Sequence, residues 1–277
     1  MWEKQLIETE RGRFELFKKG QGEPLCVTHL YSEYNANGNL FADSFTNEYC
    51  VYLINLAGCG QSTDGQGDDS YSMASSVKDL EAIREALGYN VWSFAGHSTG
   101  GMLGLKYAVQ SPHHLQKMIV GGLCASADYM YHPGSIYCVK NANNKRLKEI
   151  FAVLGDSNST IDERRAVNKE WTMMSLYNKS AYEEMQRRPN SGKTVSARLD
   201  YYAYQELPNY DLRPSLKDVK VPTYLYAGLY DAQCPFEFGV EVANLISTAT
   251  FKAFNYSNHN PFIEEEKEFQ DFVASTV

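Results

Sequence analysis

The chain has no block of lysines and arginines, no cysteine pair in CxxC spacing and no apolar run long enough to cross a bilayer. Each absence removes a class of function. With 26 Lys and Arg against 34 Asp and Glu, a net charge of -8 and a pI near 5.3, neither nucleic acid nor an anionic membrane is an expected partner. The most basic stretch, "NNKRLKEI" (143–150), reads as a solvated helix face. Six cysteines (Cys26, Cys50, Cys59, Cys124, Cys138, Cys234) stand singly, several in apolar runs where a reduced thiol acts as a small hydrophobe. No disulfide, metal or cofactor is expected. The opening "MWEKQLIETERGRFELFKK" lacks the apolar core and small-residue cleavage site of a signal peptide, so the expectation is a cytoplasmic protein. Internal repeats and low-complexity tracts are also missing.

What is present is a core-forming chain of 277 residues with 43% apolar content and 20 tyrosines, many of them in the middle third. "KQLIETERGRFELFKKG" reads as two β runs around Arg11-Gly12, a hairpin at a sheet edge. Four nearly unbroken apolar runs follow, "PLCVTHL", "YCVYLINL", "NVWSFAG" and "LQKMIVGG", typical of strands buried on both faces. Between the last three lie two helices. In the first, Val77, Leu80, Ile83, Ala86 and Leu87 recur at helical spacing before Gly88; the second is "TGGMLGLKYAVQSP", ending at Pro112. Alternating strand and helix specifies a doubly wound, mostly parallel α/β sheet. From Ala127 to Tyr210 the pattern turns helical and polar, with four helix candidates ("RLKEIFAVLG", "DERRAVNKEWTMMSLYN", "SAYEEMQRR", "SARLDYYAYQEL"), before strand character returns at "VPTYLYAG" and "ATFKAFN". Residues 1–126 and 211–277 are therefore expected to form the core, and 127–210 an inserted helical lid over the carboxyl edge of the sheet, where ligands bind.

"WSFAGHSTGG" (92–101) crowds three glycines around Ser98. A strand-to-helix turn presenting a nucleophile needs such a backbone, and G-x-S-x-G is its signature, here with a strand before and a helix after. Such a serine needs a base. His259, in "FNYSNHNPFIEEE", follows the last predicted strand and so falls at the same sheet edge. Each of the other five histidines has another reading: His113 and His114 end a surface helix, His132 belongs to the insert, His97 flanks the serine and His29 ends a strand. Asp231, in "YLYAGLYDAQCP", is the candidate to orient the imidazole, with Asp128 as the alternative acid.

In chain order Ser98, Asp231 and His259, the sequence resembles the α/β-hydrolase family from "THL" to "NHNPFIEEEKEF", with its α/β-hydrolase fold. Within that family it is most similar to the proline iminopeptidase-like branch, through "GCGQST" (58–63) and "YDLRPSLKDVKVPTYLYAGLYDAQCP". The resemblance implies a nucleophile at Ser98, an acid at Asp231 and a base at His259. Departures are also visible. His29-Leu30-Tyr31 stands where the family has His-Gly-Gly or His-Gly-X, and Thr99 follows the nucleophile in place of a bulky aromatic. The lid glutamates that hold a free amine in the aminopeptidases have Glu206 and Glu184 as their nearest candidates.

The implied oxyanion hole comprises the Thr99 N–H and Tyr31, through either its N–H or its hydroxyl. His29, Leu30, His97 and Trp171 are the substrate-pocket candidates. The expected function is a serine hydrolase acting on a small carboxylic ester or amide. A proline iminopeptidase-type aminopeptidase, a cofactor-free lyase or C–C bond hydrolase, and a non-catalytic ligand sensor are the alternatives.

Overall fold

The chain begins, in a computed structural model that describes residues 1–67 and 69–277, with the hairpin expected around Arg11-Gly12: β1 (Glu3–Thr9) and β2 (Gly12–Lys19). β3 (Glu23–Val27), β4 (Ser32–Glu33) and the short helix α1 (Leu40–Asp43) follow, then β5 (Tyr49–Ile54), α2 (Met73–Ala86), β6 (Trp92–His97), α3 (Thr99–Gln110) and β7 (Leu115–Gly121). The alternation then gives way to α4 (Asn144–Gly155), α5 (Ile161–Met174), α6 (Ala181–Arg187), β8 (Lys193–Thr194) and α7 (Ser196–Tyr201), which runs on into a π-helical turn at Tyr202–Glu206. α8 (Arg213–Leu216), β9 (Thr223–Gly228), α9 (Phe236–Leu245), β10 (Ala249–Phe254), α10 (Pro261–Glu264) and α11 (Glu266–Ala274) complete the order.

Eight strands form the main sheet in the order β1-β2-β5-β3-β6-β7-β9-β10. β1 and β2 are antiparallel to their neighbours; from β5 onward every pairing is parallel. All six residues of β5 are buried, which is why the run "YCVYLI" shows no polar alternation. Successive residues of each strand feed opposite faces. Phe94, Val120 and Leu225 join α2 and α3 on one side, while Ala95, Ile119 and Tyr226 join Phe41, Phe269 and Phe272 on the other. No helix among the described residues is long and apolar enough to cross a membrane.

The helical block between β7 and β9 is closed at its base by an isolated bridge, Ser126 with Asp211, through Ala127 N–H to Tyr210 O (2.9 Å) and Leu212 N–H to Ala125 O (2.8 Å). Two features of this block had no signal in the sequence. One is the two-residue strand β8, which pairs with β4 of the first loop (Ser32 with Thr194, Glu33 with Lys193) and is too short to show a period. The other is the π turn after α7.

Candidate active site

Ser98 stands between the end of β6 and the start of α3 at φ 58°, ψ -127°, the one non-glycine residue with positive φ among the described residues. Such a conformation costs on the order of 1–3 kcal/mol and persists only where the surroundings impose it. Here Ser98 N–H donates to Gly121 O (3.0 Å) and its carbonyl accepts from Met102 N–H (3.0 Å). The surrounding glycines have direct steric reasons. A Cβ on Gly96 would lie 2.3 Å from Gly100 O, one on Gly100 2.5 Å from Thr28 O, and one on Gly101 2.7 Å from Leu123 Cδ2. The first turn of α3 is thus wedged against the ends of three strands, and its leading N–H groups, Thr99 first, have no partner within the helix.

Asp231 and His259 are buried, at 5% and 4% exposure, and His259 Nδ1 lies 3.0 and 2.9 Å from the two carboxylate oxygens of Asp231. A carboxylate only accepts, so Nδ1 carries the proton and Nε2 is left with the basic lone pair. Asp231 Oδ1 also accepts from the N–H groups of Gln233 and Cys234, both at 2.8 Å. The loops carrying the pair are tied together by Ala232 N–H to Asn258 Oδ1 (2.8 Å) and Tyr230 N–H to Ser257 O (3.0 Å). From the insert, Ser175 O accepts His259 N–H at 3.2 Å. The His259 ring stands 4.5 Å from that of His97, the neighbour of Ser98. Gly122 lies against both rings, since a Cβ there would meet His97 Cε1 at 2.5 Å and His259 Cε1 at 3.2 Å. The structure therefore brings Asp231 and His259 to the serine turn. Asp128, the alternative acid, is exposed and ion-paired with Arg213 at 2.6 Å.

The first loop meets this turn through His29. Its Nδ1 accepts from the Ser32 hydroxyl (2.9 Å) and, at the long distance of 3.5 Å, from Tyr31 N–H, so Nε2–H is left to donate to Thr99 Oγ1 (2.9 Å). Burial, with His259 and Arg198 nearby, pushes the His29 pKa down to about 3. Burial likewise holds His97 well below the usual histidine range, with His259 and His29 adding to it, while His97 Nδ1 meets the Tyr226 hydroxyl at 3.0 Å. The Tyr31 ring packs edge-on to His29 (4.6 Å). Burial pushes its phenol up to about 12 against a hydrogen bond with Thr99, so the hydroxyl remains a donor at neutral pH.

A cavity of about 220 Å³ lies beside His97, lined by His29, Phe41, His97 and Asn260 together with Met185 and Asn190 of the insert, whereas Ser98, Tyr31 and His259 do not line it. Among the described residues no Lys, Arg, Asp or Glu lines it. Two expected pocket residues lie elsewhere. Leu30 is fully buried in the core cluster that also holds residues of α2 and α3, and its carbonyl accepts from Arg198 Nε. Trp171 packs edge-on against Phe151 at 5.0 Å, where it holds α5 to α4. Neither lid glutamate faces the cavity: both oxygens of Glu206 accept Met73 N–H (3.0 Å) at the start of α2, and Glu184 is exposed beside Arg187. Ser175, which accepts from His259 N–H, and Asn190 and Met185, which line the cavity, had no signal in the sequence, since the path of the insert alone brings them there.

A sequence profile described as the alpha/beta hydrolase fold matches residues 27–266. The chain is 52% identical, over all of both chains and with a TM-score of 0.98, to an alpha/beta fold family hydrolase from Bacillus anthracis str. Sterne. It is 22% identical to a proline iminopeptidase of Heyndrickxia coagulans, covering 97% of this chain and 96% of that one. A pimeloyl-[acyl-carrier protein] methyl ester esterase of Vibrio parahaemolyticus is 23% identical, over 90% and 92% of the two chains.

Proposed function

The chain is a hydrolase of the α/β hydrolase fold family, and we propose that it cleaves a small carboxylic ester or amide through an acyl-enzyme on Ser98. The observation that carries this reading is the buried His259–Asp231 pair standing against the strained serine turn. His259 Nε2 takes the Ser98 proton as the hydroxyl oxygen attacks the carbonyl, and the N–H groups of Thr99 and Tyr31 receive the oxyanion. Collapse of the tetrahedral adduct expels the alcohol or amine with the proton from His259. Water, deprotonated by the same imidazole, then releases the acid. Residues 127–210 act as a lid over the core of 1–126 and 211–277, a division supported by the Ser126–Asp211 bridge at its base.

The iminopeptidase relatives favour a second reading, an aminopeptidase. That activity needs a carboxylate for the substrate amine, whereas Glu206 is occupied at the start of α2. A fluorophosphonate probe should label Ser98 and nothing in Ser98→Ala, and p-nitrophenyl esters should turn over faster than aminoacyl-naphthylamides, proline included. No labelling would sink the serine mechanism and leave the lyase or sensor readings; faster cleavage of prolyl-naphthylamide would favour the aminopeptidase.

A further inference from the structure

Arg198, on α7 of the insert, is fully buried, and no carboxylate pairs with it among the described residues. A guanidinium stripped of water, with Asp79 and Glu206 acting on it only from beyond contact distance, is costly to enclose, so the contacts it makes call for a reason. Its fork is spent on neutral acceptors. Nε donates to Leu30 O (2.5 Å), Nη1 to Ala57 O (2.9 Å) and Nη2 to the Ser76 hydroxyl (2.7 Å), while the Tyr71 ring faces the cation at 5.2 Å.

Leu30 O belongs to the same planar, trans peptide as Tyr31 N–H, so fixing the carbonyl fixes the direction of the N–H on the other side of the plane. The next carbonyl is gripped as well: Val195 N–H donates to Tyr31 O at 2.9 Å, continuing the β4–β8 pairing. Both carbonyls flanking the Tyr31 backbone are therefore held by residues 195–198 of the insert. Tyr31 N–H itself is left almost unspent, with only its 3.5 Å contact to His29 Nδ1.

We propose that Arg198 is a positioning residue for the oxyanion hole, fixing the Leu30–Tyr31 peptide from the insert so that Tyr31 N–H, whose single contact is the long one to His29 Nδ1, stays beside Thr99 and available to the reacting carbonyl. This rests on the serine hydrolase reading. It accounts for Leu30 in place of the small residue: the loop is steered from outside by a buried cation, and Leu30 anchors it in the core. The contact comes from 168 residues away in sequence, so the first loop takes its geometry from the insert as well as from the core.

The test is Arg198→Met, which keeps bulk while removing the fork, assayed with p-nitrophenyl butyrate and by the rate of fluorophosphonate labelling at Ser98. The loss expected is that of one oxyanion donor, kcat and labelling rate both down ~10²-fold with KM changed less than about 3-fold. Arg198→Lys keeps the charge without the fork and should recover part of it, staying roughly 10-fold below wild type. Ile83→Ala, a core truncation in the last turn of α2, should lower Tm and spare kcat, separating positioning from stability. Folded Arg198→Met with kcat near wild type, or a loss confined to KM, overturns the proposal while the labelled wild type preserves the hydrolase reading. If Arg198→Met does not fold, wild-type kcat in Arg198→Lys overturns it equally. A wild type that never labels overturns both.

Discussion

On the serine hydrolase reading Ser98 and Tyr31 serve one site, yet different parts of the molecule hold them. The serine turn is secured by the core: Gly121 O and Met102 N–H pin its backbone, and Gly96, Gly100 and Gly101 let three strand ends close on it. The first loop takes its grip from the insert, through Arg198 on Leu30 O, Val195 on Tyr31 O and β8 on β4. The difference teaches that the proposed nucleophile and oxyanion hole would have separate stabilities on one fold, a local change in the insert reaching the second and sparing the first.

The comparison is broken most severely on the core side. Ser98→Ala and His259→Ala should each reduce kcat by roughly a million-fold, with the double variant no worse, as for residues that act as a unit. Additive losses would mean that the two do not share a step. Asp231→Asn should cost on the order of ten-thousand-fold by misorienting the imidazole, and Asp128→Asn should cost nothing measurable; the reverse result would transfer the acid to Asp128.

Gly100 is where the two regions touch, its missing Cβ facing Thr28 O at 2.5 Å and His29 Cα at 3.3 Å. Gly100→Ala should therefore destabilise by about 1–3 kcal/mol, as overpacking does, and lower kcat as well, because the displaced backbone belongs to the first loop. A melt unchanged from wild type would show that the loop has room to yield.

A smaller effect separates the regions by pH. The folded chain keeps His29 neutral down to about pH 3, while in the unfolded chain it titrates near 6.5. Between those values the unfolded state binds the extra proton, so stability falls as pH drops from 6.5 toward 3, by up to ~1.4 kcal/mol per pH unit. His97, also depressed, adds a contribution of the same sign. Melts from pH 7 to 4 should slope less in His29→Asn than in wild type; equal slopes would contradict a neutral buried His29. The smallest effect is expected at Glu206→Gln, a weakened cap on α2 costing about 1 kcal/mol or less with ester turnover unchanged. Selective loss of any prolyl-naphthylamide cleavage in that variant would return Glu206 to the role of an amine ligand.

How far the sequence could be read follows the same division. The parallel strands, α2 and α3 were legible because burial on both faces and helical periodicity leave marks over six or more residues. The serine turn was legible because its steric demand is local, met by glycines within a few positions of Ser98. That Trp171 and Leu30 lie away from the cavity was not legible, because an aromatic in the insert and a residue at the end of a strand look alike in sequence wherever they pack; the Phe151 contact of Trp171 and the burial of Leu30 in the core are set by packing. Asn190, Met185 and Ser175 carried no pattern at all.

By itself, then, the amino-acid order determined the alternating sheet and the chemistry available at its carboxyl edge, since hydrophobic period and glycine sterics act between near neighbours in the chain. Only the tertiary structure decided which acid meets His259, which side chains line the cavity and what holds the first loop. Asp231 reaches His259 across 28 positions and Arg198 reaches Leu30 across 168, and contacts closed over such separations depend on how the insert packs on the core, which no local pattern records.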